Sequence, residues 1–406
     1  MGGKIRTAHV LKGLKNGRFH VTLVSPAPRE IPAAHAAELA QLCDDFRSWP
    51  EPRRGPLFAY TRLRHLASPL PVPIATDRSR AARQLVAEAS RSADVVVADF
   101  LHAAVLLPRE VDAASVLFTH NVEAEIFARH AALASSALHR VIWSDQLRKM
   151  QRFERATLRH FDSVVAVSER DRDYFRREYG VESSTIPTGV DLDFFAFHRV
   201  TETAGPPLIV FTASMDSLAN IDGVRWFMDA VWPLIVRERA DARMRVIGRN
   251  PDPGLVGEAT RRGLNWTFTG YVDDVRPHLE GATAYVIPLR VGGGTRIKAY
   301  EAMAFGLPTV STAIGIEGLG VEPGRHFLQA DAEADFASAV LALVRDGALR
   351  RRLADEARML VERNFSAKTV GAVFEDICVA AMQARRALVA ATANPARTQA
   401  PGTSEA

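Results

Sequence analysis

Short apolar segments of strand-like character alternate with longer amphipathic segments of helix-like character through almost the whole chain. In its first half the predicted strands are residues 20–24, 94–98, 116–119 and 163–167, and the predicted helices are residues 5–14, 33–43, 79–90 and 142–161. Short buried strands separated by helices are typical of a parallel sheet that helices cover on both faces. The pattern therefore predicts an α/β fold with doubly wound parallel sheets.

The alternation is interrupted once, near the midpoint of the 406 residues, by a polar stretch that carries glycine and proline. It then restarts, with predicted strands at residues 208–212, 244–247, 266–269, 284–287 and 308–311. We therefore expect two Rossmann-like domains, residues 1–198 and residues 208–365, joined by a linker at residues 199–207. Open parallel sheets bind ligands at the carboxyl ends of their strands, so two such domains facing a cleft favour a nucleotide-bearing ligand.

The last part of the chain predicts a long helix and then a tail. Apolar residues recur at helical spacing through residues 366–391, and we expect this helix to cross back to the first domain. Residues 392–406 are rich in small and polar residues and contain too few apolar ones to join a core, which predicts disorder.

The composition excludes several classes of protein. Hydrophobic residues make up 47% and charged residues 24%, which is ordinary for a globular chain. No apolar run approaches the roughly 18 residues of a membrane-spanning helix, and the first residues lack the apolar core of a signal peptide. Two distant cysteines, Cys43 and Cys378, exclude a disulfide framework. These features predict a cytoplasmic protein.

The formal net charge is +4, and the basic excess is densest across residues 140–159. A basic helix of this kind favours peripheral contact with an anionic surface, such as the inner face of a membrane, and a solvated helix face is the alternative. Aromatic residues are not interleaved with the basic ones, so we expect no nucleic-acid partner.

The most informative stretch is residues 288–312, PLRVGGGTRIKAYEAMAFGLPTVST. A strand leads into consecutive glycines, among them Gly293 and Gly294, and a helix then starts near Thr295. Glycines let backbone amides approach a ligand closely, and a helix N-terminus binds anions. Arg296 and Lys298 add positive charge there, and the Glu301 carboxylate can accept two hydroxyl hydrogen bonds, as a ribose diol offers. The segment predicts a site for a nucleoside diphosphate.

This segment resembles the nucleotide-sugar signature of GT-B glycosyltransferases, specifically glycosyltransferase family 4. Further segments that resemble family landmarks are LFTHNVEAEIF at 117–127, DSVVAVSERDRDYF at 162–175, STIPTGVDLDFF at 184–195, VIGRNPDP at 246–253 and GYVDDVRPHL at 270–279. The resemblance runs from Gly2 to about residue 380 and is greatest to sugar transferases of bacterial exopolysaccharide systems. It implies a GT-B fold, with the acceptor on the first domain and the donor on the second.

The resemblance also implies roles for single residues on the donor side. Glu301 matches the second glutamate of the family's E-x7-E motif, which binds the donor ribose, whereas the first glutamate is replaced by Gly293. The loop after the strand at 208–212 lacks the basic pair that many relatives carry. Arg296 and Lys298 are therefore expected to neutralise the donor phosphates, and Arg249 is a further basic candidate.

His120 follows a strand and matches a family position beside the reacting sugar, so it is the predicted catalytic residue. Asn121 and Glu123 next to it are the predicted acceptor-side residues. Gly2 and Gly3 match the family's glycine loop that faces the donor phosphates and follows the first strand of the first domain. We therefore expect that this domain lacks its first strand and that the native chain starts upstream.

The D-x-D pairs at residues 171–173 and 191–193 are interpreted as helix caps and surface charge, so neither a metal nor a cofactor is expected. Together these features predict a retaining, metal-independent glycosyltransferase. It would transfer a sugar from a nucleotide-diphosphate sugar to a glycan or lipid-linked acceptor in exopolysaccharide or cell-envelope synthesis. The alternatives are a non-catalytic glycosyltransferase-like accessory protein and a UDP-sugar 2-epimerase of the same fold.

Overall fold

The computed structural model describes residues 2–15, 17–51, 55–132, 134, 136–199, 205–291 and 296–393. The chain forms two compact units. The first unit contains Gly3–Pro187 together with the chain from Gly371 onward, and the second contains Thr188–Val370. The predicted tail at 394–406 lies outside the described residues, as do residues 200–204 of the predicted linker.

The division after Pro187 comes earlier in the chain than the predicted linker. Residues 188–198 belong to the second unit because they pack there. Phe195 is buried in the second unit's core, and the His198 backbone N–H donates to the Phe305 carbonyl at 3.0 Å. The expectation that the first domain extends to residue 198 is therefore wrong by this short segment, which packs onto the second unit.

The first unit is α/β, with every strand pair parallel. Its helices are α1 (Gly2–Lys15), α2 (Ala33–Leu42), α3 (Pro56–Arg64), α4 (Val72–Asp77), α5 (Arg80–Ser90), α6 (Glu123–Ala132), α7 (Ala137–Leu158) and α8 (Glu169–Tyr174). Its strands are β1 (Thr22–Ala27), β2 (Asp45–Pro50), β3 (Val95–Asp99), β4 (Ala114–Phe118), β5 (Ser163–Ala166) and β6 (Ser184–Thr185). β1 pairs with β2, and a four-stranded sheet has the order β3-β4-β5-β6.

Local sequence signals account for several helix starts in this unit. Ser79, Ser136 and Ser168 accept hydrogen bonds from backbone N–H groups in the first turns of α5, α7 and α8, as N-cap serines do. The expected glycine loop at Gly2 and Gly3 is instead the first turn of α1. Helical packing of the following residues outweighs the low helix propensity of the two glycines, so this expectation is corrected.

The second unit contains one six-stranded parallel sheet in the order β12-β11-β10-β7-β8-β9. Its strands are β7 (Leu208–Thr212), β8 (Arg243–Ile247), β9 (Trp266–Phe268), β10 (Ala284–Ile287), β11 (Thr309–Ser311) and β12 (Leu328–Gln329). Its helices are α9 (Leu218–Trp226), α10 (Trp232–Glu238), α11 (Pro253–Arg261), α12 (Arg276–Leu279), α13 (Ile297–Phe305), α14 (Glu333–Arg345) and α15 (Gly347–Asn364). A π-helical turn, Phe227–Val231, joins α9 to α10. The central strands β7 and β10 are almost wholly buried, as strands covered on both faces must be.

The last helix, α16 (Ala367–Ala393), enters the first unit at Gly371. Gly371 lies so close to α1 that a Cβ atom there would be 2.5 Å from the Gly13 Cα. One turn further, Phe374 packs against Phe118 with the ring centroids 5.1 Å apart. This helix therefore completes the core of the first unit. Within the described ranges, no helix combines the length and the hydropathy needed to span a bilayer.

Candidate functional site

The loops that follow β7 and β8 and the start of α13 meet at one edge of the second unit's sheet. The Lys298 ammonium of α13 donates to the Asn220 side-chain oxygen at 3.1 Å, and Asn220 in turn donates to the Ser214 carbonyl at 2.8 Å. Arg249, which follows β8, donates to the Ser214 hydroxyl at 2.9 Å. One hydrogen-bonded chain thus joins Arg249 and Lys298, two of the predicted donor-binding residues.

Close backbone contact fixes the two strand-end loops to each other. The Met215 N–H donates to the Arg249 carbonyl at 3.1 Å. Gly248 has φ +147°, and a Cβ atom there would lie 1.9 Å from the Ala213 carbonyl oxygen. Only glycine fits this conformation and this separation, so Gly248 sets the position of Arg249.

Glu301 lies half-buried in α13, three residues after Lys298. Within the described part of the chain, no hydrogen-bond donor is paired with its carboxylate. Burial raises the pKa of Glu301 to about 7, and the nearby Lys298 opposes this shift. Burial, together with the charge of Arg296, lowers the pKa of Lys298 to about 7. An ionised carboxylate in this position can accept two hydroxyl hydrogen bonds, and a protonated Lys298 can neutralise an anion.

Arg296 and Lys298 differ in their surroundings. Arg296 is 6% exposed and its Nε donates to the Ile314 carbonyl at 3.0 Å, and its charge contributes to the lowered pKa of Lys298. Arg249 forms an ion pair with Asp216 at 2.9 Å, which offsets its charge. Lys298 is the basic side chain whose charge opposes the rise in the pKa of Glu301. The predicted donor residues Gly293, Gly294 and Thr295 lie outside the described residues.

In the first unit, His120 follows β4 and is held at both ring nitrogens. Its Nε2 lies 2.7 Å from the Asp99 carboxylate, and its Nδ1 lies 3.1 Å from an Arg6 guanidinium nitrogen. Thr7 donates to the other Asp99 oxygen at 2.8 Å. Because arginine only donates, Nδ1 of His120 accepts, and Nε2 carries the proton and donates to Asp99. Burial lowers the pKa of Arg6 to about 10, with Asp171 and Asp99 opposing the shift.

Aromatic contacts fix the plane of the His120 ring. Phe100 stacks on it with the centroids 3.9 Å apart, and Phe100 has a φ of 70°, which is unusual for a bulky residue. A Cβ atom at Gly3 would lie 2.6 Å from the Phe100 ring. The close approach of Gly3 thus leaves room for the Phe100 ring that orients His120, and the phosphate contact of this glycine stays a prediction.

The two predicted acceptor-side residues differ in their surroundings. Asn121 is exposed. Glu123 begins α6, and its carboxylate lies 3.8 Å from the His102 imidazole, which also contacts Asp77 at 2.9 Å. Burial lowers the pKa of His102, but the Asp77 and Glu123 carboxylates outweigh this effect and raise the pKa to about 9. Sequence reasoning missed Asn220, Asp216 and Asp99, although each follows or ends a predicted strand on the ligand-binding edge.

The pair at residues 191–193 acts as a cap, as the sequence predicts: the Asp191 carboxylate accepts the backbone N–H groups of Asp193 and Phe194 at 3.1 and 3.0 Å. For the pair at residues 171–173 the interpretation is wrong in part, because Ser168 caps α8 and Asp171 is buried at 8% exposure. No group of three or more histidine, cysteine or carboxylate side chains suited to a metal ion occurs among the residues that the structure describes.

Comparison with known proteins places both halves of the chain in one group. Residues 2–194 match the family model Glycosyltransferase Family 4, and residues 206–346 match Glycosyl transferases group 1. A Mycobacterium tuberculosis phosphatidyl-myo-inositol mannosyltransferase is 26% identical over 211 residues, which cover 49% of this chain and 54% of the relative. A 44.6 kDa protein of the Klebsiella pneumoniae cps region is 22% identical over 169 residues, 40% of this chain and 43% of the relative. These alignments span about half the length of the curated relatives.

Solved structures agree on the fold. The crystal structure of Anabaena HepE in complex with UDP matches with a TM-score of 0.63 at 14% identity, and the match covers 92% of this chain and 96% of that one. The predicted α/β fold of the GT-B class is confirmed. The chain belongs to the GT-B glycosyltransferases, with the sequence features of glycosyltransferase family 4 and of the glycosyl transferases group 1.

Proposed function

We propose that this chain is a retaining, metal-independent glycosyltransferase that moves a sugar from a nucleotide-diphosphate sugar to a glycan or lipid-linked acceptor. The observation that carries the proposal is the half-buried Glu301 carboxylate. It lies beside Lys298 at the sheet edge of the second unit and has no hydrogen-bond donor among the described residues. A buried carboxylate that accepts no hydrogen bond lowers the stability of the folded protein, and a ligand that supplies hydrogen-bond donors removes this penalty.

The chemistry of the donor follows from these two side chains. Glu301 accepts the two hydroxyls of the donor ribose. Lys298, at the start of α13, faces the diphosphate together with the helix N-terminus, and both stabilise the negative charge that develops on the departing nucleotide. The UDP complex of the similar Anabaena HepE supports a uridine nucleotide as the first donor to test.

The acceptor side is assigned to the first unit, with Asn121, Glu123 and the oriented His120. Since both His120 ring nitrogens are engaged, we assign His120 to positioning of the sugar rather than to proton transfer. The mannosyltransferase and cps-region relatives support a glycolipid or envelope glycan as the product. Exposed basic residues of α7, including Arg148 and Arg152, support peripheral contact with an anionic membrane at the cytoplasmic face.

The full chain is tested with UDP- and GDP-sugars and a lipid extract, with release of the nucleotide diphosphate and transfer of labelled sugar as readouts. Glu301→Gln is expected to weaken UDP binding by roughly 10–100-fold, because it replaces a charged hydrogen-bond acceptor. Glu322→Gln, at a side chain that is 66% exposed, is the matched control and should bind as the wild type does.

The same assay separates the alternatives. Tight UDP binding without any transfer indicates the accessory protein, and interconversion of UDP-sugars without an acceptor indicates the epimerase. Unchanged UDP affinity in Glu301→Gln contradicts the site assignment.

A further inference from the structure

A cavity of about 350 Å³ lies within the first unit, between α4, α6 and α7, and the predicted acceptor-side residue Glu123 lines it. Most of its wall is apolar and includes Val72, Ile126, Phe127 and Trp143. The Gln146 side chain, also in the wall, accepts the Val72 N–H at 2.8 Å, so part of its polarity is already satisfied inside the protein. The cavity therefore suits a hydrocarbon more than a free sugar.

Polar groups also contribute to the lining of this cavity, among them Arg62, His102 and Glu123. His102 lies there between Asp77 and Glu123, and His130 stacks on Trp143 with the centroids 4.5 Å apart. The lining thus offers the Glu123 carboxylate as a hydrogen-bond acceptor and the Arg62 and His102 side chains as donors, a mixture that suits the hydroxyl groups of a sugar. An occupant with an apolar chain and a hydroxylated head group matches both parts of the lining.

The helices that supply the lining also carry exposed apolar side chains. On α3, Tyr60 and Leu63 are 61% and 64% exposed, and on α7 Leu138 and Val141 are 69% and 66% exposed. Both helices contribute to the cavity, α3 through Arg62 and α7 through Ile142. Exposed aromatic and aliphatic groups beside basic residues are typical of surfaces that contact lipid head groups.

We propose that this cavity, which we term the α6–α7 cavity, binds the hydrocarbon chain of a glycolipid acceptor and places its sugar head group at Glu123 and His102. Its volume of about 350 Å³ lies within the roughly 300–1,000 Å³ that small-molecule pockets have. The inference rests on the proposed function, since it names the class of acceptor that the glycosyltransferase uses.

The test measures binding by the full chain of decyl maltoside below its critical micelle concentration, by calorimetry and without any nucleotide sugar. Saturable binding to one site is expected, whereas maltose, which lacks the chain, should bind at least about tenfold more weakly. Ile142→Trp fills the cavity and should weaken decyl maltoside binding at least about tenfold. Ala156→Trp adds the same group at an exposed position of α7 that does not line the cavity and should leave binding unchanged.

Thermal unfolding of both tryptophan variants shows whether a loss of binding comes from a blocked cavity or from a misfolded unit. Ile142→Ala enlarges the cavity and should retain both binding and cooperative unfolding. Equal binding of maltose and decyl maltoside overturns the inference. Unchanged binding of decyl maltoside by Ile142→Trp also overturns the inference. Binding that appears only with phospholipid vesicles overturns it as well, because it would indicate association with the membrane surface. Because the assay contains no donor, a failure here is distinguishable from a failure of sugar transfer.

Discussion

The side chain of Glu154 in α7 accepts hydrogen bonds from the first N–H groups of α6, a role that a residue next to the helix start usually has. Because this buried carboxyl group titrates, we expect the stability of the first unit to depend on pH. The Glu154 carboxylate is 1% exposed and accepts hydrogen bonds from the Glu123 N–H at 2.8 Å, the Ala124 N–H at 3.3 Å and the Tyr179 hydroxyl at 2.8 Å. The residue before α6 is Val122, which cannot cap a helix. Burial raises the pKa of Glu154 from the ordinary 4.5 to about 7, although its donors oppose the shift.

The folded protein therefore retains a proton at Glu154 up to about pH 7, whereas the unfolded chain loses it near pH 4.5. The contribution of Glu154 to the free energy of unfolding is therefore fully present below pH 4.5 and is lost as the pH rises from 4.5 to about 7. At 1.36 kcal/mol for each unit, the loss is about 3 kcal/mol. Glu154→Gln does not titrate, so the wild type should lose about 3 kcal/mol relative to this variant between pH 4.5 and 7.

Hydrogen exchange of peptides from α6 and α7, followed by mass spectrometry at several pH values, measures the opening of the first unit separately from the second. Glu169→Gln, at a side chain that is 78% exposed, is the control and should show no such pH dependence. A stability difference between Glu154→Gln and wild type that stays constant from pH 5 to 8, or that grows in the opposite direction, would refute the reasoning.

Further predictions concern the close glycine contacts and Lys298. Gly371→Ala should lower the thermal midpoint because its Cβ would meet Gly13, whereas Gly257→Ala, at an open position of α11, should raise stability by up to about 1 kcal/mol. Gly248→Ala forces the strand-end loops apart, so we expect lower stability, by about 3 kcal/mol, and lost UDP affinity in the same calorimetric titrations. Relative to Lys298→Arg, which stays charged, the wild type should lose roughly tenfold in UDP affinity as the pH rises from 6 to 9, because Lys298 loses its proton while Glu301 ionises in both proteins. Equal pH profiles of the two proteins would argue against Lys298 at the phosphates.

The sequence predicts the buried strands well, because runs such as residues 208–212 and 284–287 are apolar throughout and are bounded by polar loops. It does not predict β2, Asp45–Pro50, whose residues are mostly exposed and mix charged, aromatic and proline side chains. The helix α3 was missed for a related reason: its pattern of apolar residues is weak and much of its surface stays exposed.

For the site, the sequence shows which residues lie at the end of a strand. It does not show which distant residues form hydrogen bonds with them. The sequence predicts that His120 follows a strand and that Glu301 lies on a helix, and the structure has both features. Arg6, however, reaches His120 from 114 residues away, and Asn220 reaches Lys298 from 78 residues away. Such pairings depend on the packing of helices onto the sheet. The same holds for Arg296, since its hydrogen bond to the Ile314 carbonyl, 18 residues away, is not readable from the sequence.

The first unit is discontinuous in sequence, since it contains Gly3–Pro187 and resumes only at Gly371. During synthesis from the N-terminus, the second unit is therefore complete before the ribosome has made the helix that packs Phe374 onto Phe118 and brings Glu375 to the Arg18 N–H. Until then the first unit exposes the apolar surface that α16 covers. The first unit is therefore synthesised first but completes its folding last. The apolar surface that α16 later covers is the part of the nascent chain that most needs protection from aggregation.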